Sequence, residues 1–159
     1  GAPDLELPLA SISCRRNSGG MSLSVICPGV TAVQMSGILA RSAGNLVVRR
    51  GARFVNGNEQ LEDFLTAPLQ SIAPDTGAKS ASVTLSGKMP WSAETIRARL
   101  IRGISYRAGD GSNERVRADI DTFLRVGDIA DLGNGETLTI AEMVYWIGPN
   151  QGVMEIVGA

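Results

Sequence analysis

Oxygen-bearing side chains crowd one corner of this sequence. In "RVGDIADLGNGETLTIAEMVYWI", residues 125–147, Asp128, Asp131, Asn134 and Glu136 follow at short spacing, a donor set of the kind that suits calcium. Their spacing departs from the helix-loop-helix calcium pattern, and the glycines among them read more simply as a chain reversal. Two further acidic pairs, Glu62/Asp63 and Asp119/Asp121, raise glycosidase chemistry, which needs carboxylates on opposite sides of a cleft with one pKa raised. Asp119 and Asp121 share a strand parity with Arg115 and Arg117, so that ladder reads as a solvated face with cross-strand partners. The chain contains no histidine, which removes Ser-His-Asp and Cys-His systems and most zinc sites. No catalytic residue, cofactor or metal ligand is assigned, and no enzymatic activity is expected.

The remaining motifs weaken on inspection. "DTGAKS", residues 75–80, evokes a phosphate loop, but that loop needs Gly and Lys adjacent, and Ala78 intervenes. It also leads into a strand, so no helix N-terminus is offered to a phosphate. "AGDGSNE" reads as a hairpin loop in the same way. The lysines, Lys79 and Lys88, fall at strand edges or turns. Cys14 and Cys27 lie at unequal distances from the turn "RRNSGGM" and do not face each other across a hairpin, so two buried thiols are expected.

Arginine is the unusual resource: Arg41, Arg49, Arg50, Arg53, Arg97, Arg99, Arg102, Arg107, Arg115, Arg117 and Arg125. A stripe for single-stranded nucleic acid would interleave aromatics, and these are only 4% of the chain. Ion pairs across a subunit interface are the better use, since a planar guanidinium holds a carboxylate bidentately. Arg102 stands out, because its parity turns it toward an apolar face where it needs a carboxylate or a subunit boundary.

The elements that must position these groups are strands. In "SASVTLSG", Ala81, Val83 and Leu85 alternate with Ser80, Ser82, Thr84 and Ser86, as a half-buried strand requires. "TIRARLIRGISYR" reads as one long strand with Ile96, Ala98, Leu100, Ile104 and Tyr106 on its apolar face. Further strands are expected over 5–14, 21–27, 30–39, 45–55, 115–120, 136–147 and 153–157. "NEQLEDFLTAPL" reads two ways, with Leu61, Phe64 and Leu65 at helical spacing behind an Asn58 cap and Leu61 and Leu65 alternating with Asp63; the balance tips to a strand or irregular extended structure, and Pro68 and Pro74 would stop any helix early. Turn signals such as "NSGG", "SAGN", "NGN", "AGDGSN" and "GNG" separate the strands. In the last long strand Leu138, Ile140, Val144 and Trp146 share a core parity that Glu142 interrupts, which predicts a bulge or bend near residues 141–143.

This pattern gives an all-β fold of antiparallel barrel or sandwich units. A boundary at "GKMPWSAE" divides it into two small β modules, residues 1–88 and a C-terminal barrel-like unit over 93–159. With 159 residues the chain can bury a core without disulfides. Its net charge of -1 gives no field that would draw nucleic acid or an anionic membrane, and neither partner is expected. No apolar run approaches the roughly 20 residues that span a bilayer. The opening "GAPDLELP" lacks methionine, which fits a chain excised from something longer.

Several segments together carry a resemblance. "APLQSIAPDTGAKSASVTLSG" and "ARLIRGISYRAGDGSNERVRADIDTFLRVGDIADLGNGETLTIAEMVYWIGPNQGVMEIVG" resemble the hub or baseplate-type tail proteins of bacteriophages and tail-like particles, over residues 66–158. The shared features are the order of strands and turns: "LSG", "GISYR", "RADID", "LRVGD", "GETLTI" and "VMEIVG". The resemblance implies a structural protein of the virion tail built from β-barrel domains, commonly trimeric, that contacts other tail or baseplate proteins. It carries no functional residue across, and residues 1–65 match it less well.

Two rival readings remain. A carbohydrate-binding module for a host or cell-wall glycan would use Trp91, Tyr106, Tyr145 and Trp146 as an aromatic shelf. A carboxylate-dependent wall hydrolase would use Asp119, Asp121 or Asp128.

Overall fold

The structure is a computed structural model that describes residues 4–41, 43–53, 55, 57–76, 81–90, 96–110, 113–148 and 151–159. Strand β1 (Ser11–Asn17) and β2 (Gly20–Pro28) form a hairpin that leads into helix α1 (Ala32–Leu39). Next come β3 (Asn45–Arg53), β4 (Glu59–Thr76) and β5 (Ala81–Met89), then the short β6 (Ala98–Leu100), β7 (Tyr106–Ala108) and β8 (Arg115–Ala118). The corner strands are β9 (Ile129–Gly133) and β10 (Glu136–Ile147), and β11 (Gly152–Gly158) completes the order. The fold is all-β and almost wholly antiparallel, as the alternation predicts. It is not a closed barrel: the sheet runs β3-β4-β5-β2-β1-β10-β11-β8-β7 and stays open at both ends. The expected modules, 1–88 and 93–159, meet within this sheet, where β1 pairs with β10.

Two long strands serve two ladders each. The first half of β4 pairs with β3 as far as Pro68, and from Leu69 its second half pairs with β5, with a register shift between Leu69 and Ser71. Pro68 sits opposite Asn45 at the end of the first ladder, where a missing N–H is tolerated. Strand β10 pairs with β9 through residues 136–139 and with β1 and β11 farther on. The expected irregularity is present, since the β10–β11 register shifts between Ile140 and Glu142. One extra residue reverses every later side chain. Leu138 and Ile140 are buried, but beyond Ala141 it is Met143 and Tyr145 that enter the core. Val144 and Trp146, expected inside, lie on the outer face.

Two other expectations are corrected. Residues 30–39 do not form a strand; Thr31 and Gln34 close a reciprocal capping box, with Gln34 N–H donating to Thr31 Oγ1 at 3.2 Å and Thr31 N–H to Gln34 Oε1 at 3.0 Å. That box nucleates α1, which buries Ile38 beneath it, a burial that contributes about 1.5–3 kcal/mol. The stretch "TIRARLIRGISYR" is not one strand either. Gly103 turns the backbone to φ 61, so only Ala98–Leu100 and Tyr106–Ala108 pair. The face assignment is corrected too: Ile101 is buried, while Ile96, Leu100, Ile104 and Tyr106 are exposed.

The core is continuous across the halves, with Cys14, Leu23 and Val83 from one and Met143, Tyr145, Met154 and Ile156 from the other. Cys14 faces Leu23 across the hairpin and Cys27 faces Val83, so both thiols are free and buried, as expected. No helix among the described residues is long and apolar enough to cross a membrane.

Candidate functional site

The acidic corner is a staple. Asp128 is 1% exposed, and its two carboxylate oxygens accept the backbone N–H groups of Arg97 and Arg125, each at 2.9 Å. Ile129 N–H donates to Arg97 O at 2.9 Å, so one residue and its neighbour tie the start of β6 to β9. Asp128 is therefore no surface turn group, as its position in "GDIAD" suggests, but a buried acceptor committed to the main chain. Asp131 accepts the N–H of Gly133 at 2.8 Å and steadies its own turn. Asn134 at φ 54 and Gly135 at φ 81 then close a two-residue reversal of the kind Asn-Gly favours. Glu136 pairs with Arg107. The three acids considered for calcium thus serve separate partners and Asn134 shapes the turn, and the described residues contain no metal-holding cluster of three or more acids or thiols.

The other carboxylates are also placed. Asp121 takes Arg99 at 3.1 Å and the Phe123 N–H at 2.9 Å. Asp119 is exposed beside Gly103, and its N–H donates to Arg102 O at 3.1 Å. Asp63 and Glu62 pair across the β3–β4 ladder with Arg49 and Arg50, at 3.0 and 2.6 Å. The residues of "DTGAKS" from 77 on, Gly111 and Ser112 within "AGDGSNE", and Trp91 lie outside the described residues.

Arginine organises the face of β7, β8 and β11. Arg117 reaches Glu155 at 2.8 Å and Arg115 reaches it at 3.6 Å, with the Glu155 side chain only 8% exposed. Arg107 bridges Glu114 and Glu136, joining the hairpin after β7 to the corner before β10. Aromatic rings brace these groups: Arg117 lies over Tyr106 at 5.3 Å and Arg99 over Phe123 at 5.5 Å. Sequence reasoning anticipated partners for Arg115 and Arg117 but missed Glu155 and Glu114 as the buried ones. The signal was present: Glu155 stands inside the apolar run "VMEIV". Arg102, expected to face the core, is exposed, because Ile101 takes the inward position.

Tyr145 is fully buried, and its hydroxyl donates to Asp121 O at 3.2 Å, so it belongs to no exposed shelf. Burial pushes its phenol up to about 12, with Arg16, whose guanidinium lies over the ring at 5.4 Å, opposing. Burial likewise pushes the Cys14 thiol up to about 11 and raises that of Cys27, so neither thiol is primed as a nucleophile. Trp146, 40% exposed, and Tyr106 are the described aromatics from the expected shelf that reach solvent.

What the arrangement does best is hold charged groups in fixed positions on the faces and edges of an open sheet. No family model and no curated protein matches the chain. Among solved structures, the crystal structure of the 43 kDa tail protein of prophage MuSo2 from Shewanella oneidensis is similar in fold, with a TM-score of 0.54. The alignment covers 96% of this chain and 92% of that one, at 6% sequence identity. The likeness is one of fold.

Proposed function

We propose that this chain is a structural component of a phage tail or tail-like particle, of the hub or baseplate type, that works through protein-protein contacts and catalyses no reaction. The observation that carries the reading is the whole-chain fold likeness to a prophage tail protein, 96% covered at a TM-score of 0.54. The order of strand and turn motifs from residue 66 to 158 supports it from the sequence side. The mechanism is geometric: an open sheet with braced charged faces offers flat, rigid surfaces to neighbours, which cover its edges. Other tail or baseplate proteins are the partners, and copies of the chain assemble into a ring, for which the resemblance suggests a trimer.

The test is protein identification by mass spectrometry on tail particles purified from an induced culture of the source strain. Peptides of this chain should co-purify with tail components in fixed stoichiometry, and their absence from intact particles would sink the proposal. Turnover of peptidoglycan or polysaccharide by the pure protein would refute the non-enzymatic part.

A further inference from the structure

Among the described strands, β3, β7 and β6 each have one side without a paired strand. Strand β3 carries charged Arg49 and Arg50 and a register shift at Val48/Arg49, devices that discourage further pairing. On β7, Arg107 is committed to Glu114 and Glu136. Strand β6 is different. Arg97 O accepts from Ile129 N–H at 2.9 Å and Ile101 N–H donates to Asp131 O at 2.8 Å, so main-chain groups of that parity face β9. Alternation turns the N–H and C=O of Ala98 and Leu100 the other way, where no described strand receives them.

That edge is apolar on its outer face, where Asp131 stands opposite Leu100 in the register with its carboxylate taken by Gly133 N–H, and cationic at its two ends. Leu100 is 57% exposed and Ile96 64%, and Ile129 stands opposite Ala98 on the same outer face. Arg97 and Arg102 bracket the strand. Of the arginines whose side chains are described, these two alone have no side-chain hydrogen bond or ion pair among the described residues; the others hold carboxylates or carbonyls or are otherwise engaged. A second β6 laid against the first would set the uncompensated Arg97 and Arg102 against the same two cations, which disfavours another copy here. An acidic strand meets no such penalty.

We propose that the open edge of β6 docks an extended segment of a partner protein in which aliphatic and acidic residues alternate. The segment pairs with Ala98 and Leu100 through its main chain, packs its aliphatic side chains on Leu100, and presents carboxylates to Arg97 and Arg102. This deepens the assembly reading and rests on it.

The probe is a synthetic end-blocked peptide of alternating valine and aspartate, titrated into the full chain by fluorescence anisotropy. Saturable binding with a Kd on the order of 100 µM is expected, weakened at least about tenfold by Arg97→Glu with Arg102→Glu and weakened by added salt. Leu100→Pro should also weaken it, since it deletes an outward N–H and leaves the β9 ladder whole. The exposed arginine variants, monitored by circular dichroism, decide the matter if the proline variant fails to fold. The proposal is overturned by no saturation at millimolar peptide, by equal binding of a valine-lysine peptide, or by unchanged affinity of the arginine variants. Self-association that Leu100→Pro abolishes would make a second copy the occupant and overturn it as well. Peptide failure alongside tail particles that contain the chain removes this edge and leaves the assembly reading standing.

Discussion

Replacing Asp128 with alanine tests the reading of the acidic corner most directly. The wild-type carboxylate is 1% exposed and accepts two main-chain N–H groups, from Arg97 and Arg125, both at 2.9 Å. Alanine leaves both part-buried donors without their acceptor, and each stranded donor costs up to about 1–3 kcal/mol, so Asp128→Ala should cost about 2–6 kcal/mol. Asparagine keeps one carbonyl acceptor but turns an NH2 toward the second donor, so Asp128→Asn should fall between, at about 1–3 kcal/mol. Urea unfolding of the three proteins gives these differences from midpoints at constant slope. Hydrogen exchange adds position, because the amides of Arg97 and Arg125 should lose protection first. A loss below about 1 kcal/mol for Asp128→Ala, within reach of an ordinary surface change, would refute the staple. So would protection lost uniformly along the chain.

Alkali should weaken the fold. The folded values of Cys14 and Tyr145, about 11 and about 12, lie above the ordinary 9.0 and 10.0, so the unfolded chain releases those protons first. The contribution of these two groups is then constant below about pH 9 and is lost as pH rises toward 12, by about 2–3 kcal/mol per group; urea midpoints from about pH 8 upward check it, and Tyr145→Phe should flatten the upper part. Gly51 has φ 150, and a Cβ there would overlap the Gln60 carbonyl oxygen, so Gly51→Ala should cost about 2–4 kcal/mol by thermal or urea unfolding and open the β3–β4 ladder. Glu155→Gln should cost about 1–2 kcal/mol, discounted because both guanidiniums are half exposed, and high salt should shrink the gap from wild type. A gap unchanged by salt would assign that cost to packing.

Where neighbours in sequence decide the geometry, the sequence was readable. "SASVTLSG" alternates and forms β5, and Gly133-Asn134-Gly135 turns the chain between β9 and β10. The break in β10 was readable too, since Glu142 is an acid where the core pattern wants an apolar group. Its consequence was harder, because a single inserted residue at Ala141 moves Tyr145 inward and Trp146 outward. Helix α1 was hidden by its brevity: eight residues give little periodicity, and only Thr31 with Gln34 marks it. Gly103 likewise looked ordinary inside an apolar alternation, yet its positive φ ends the extended run, and the burial of Ile101 in place of Leu100 left no mark in the alternation. The role of Asp128 was not legible at all, since the donor that buries it comes from Arg97, far back in the chain.

The pairing of β10 has a mechanical side. Strands β1 and β11 flank it, each antiparallel to it, and therefore run parallel to one another. The start of β1 lies beside Ile147, at one end of β10, and the end of β11 lies beside Ile140, toward the other. Tension applied between Ile12 and Gly158 would slide both ladders lengthwise, loading many main-chain hydrogen bonds at once instead of peeling them singly. Single-molecule pulling from those two points should meet a high rupture force, and pulling across the β3–β4 hairpin a low one.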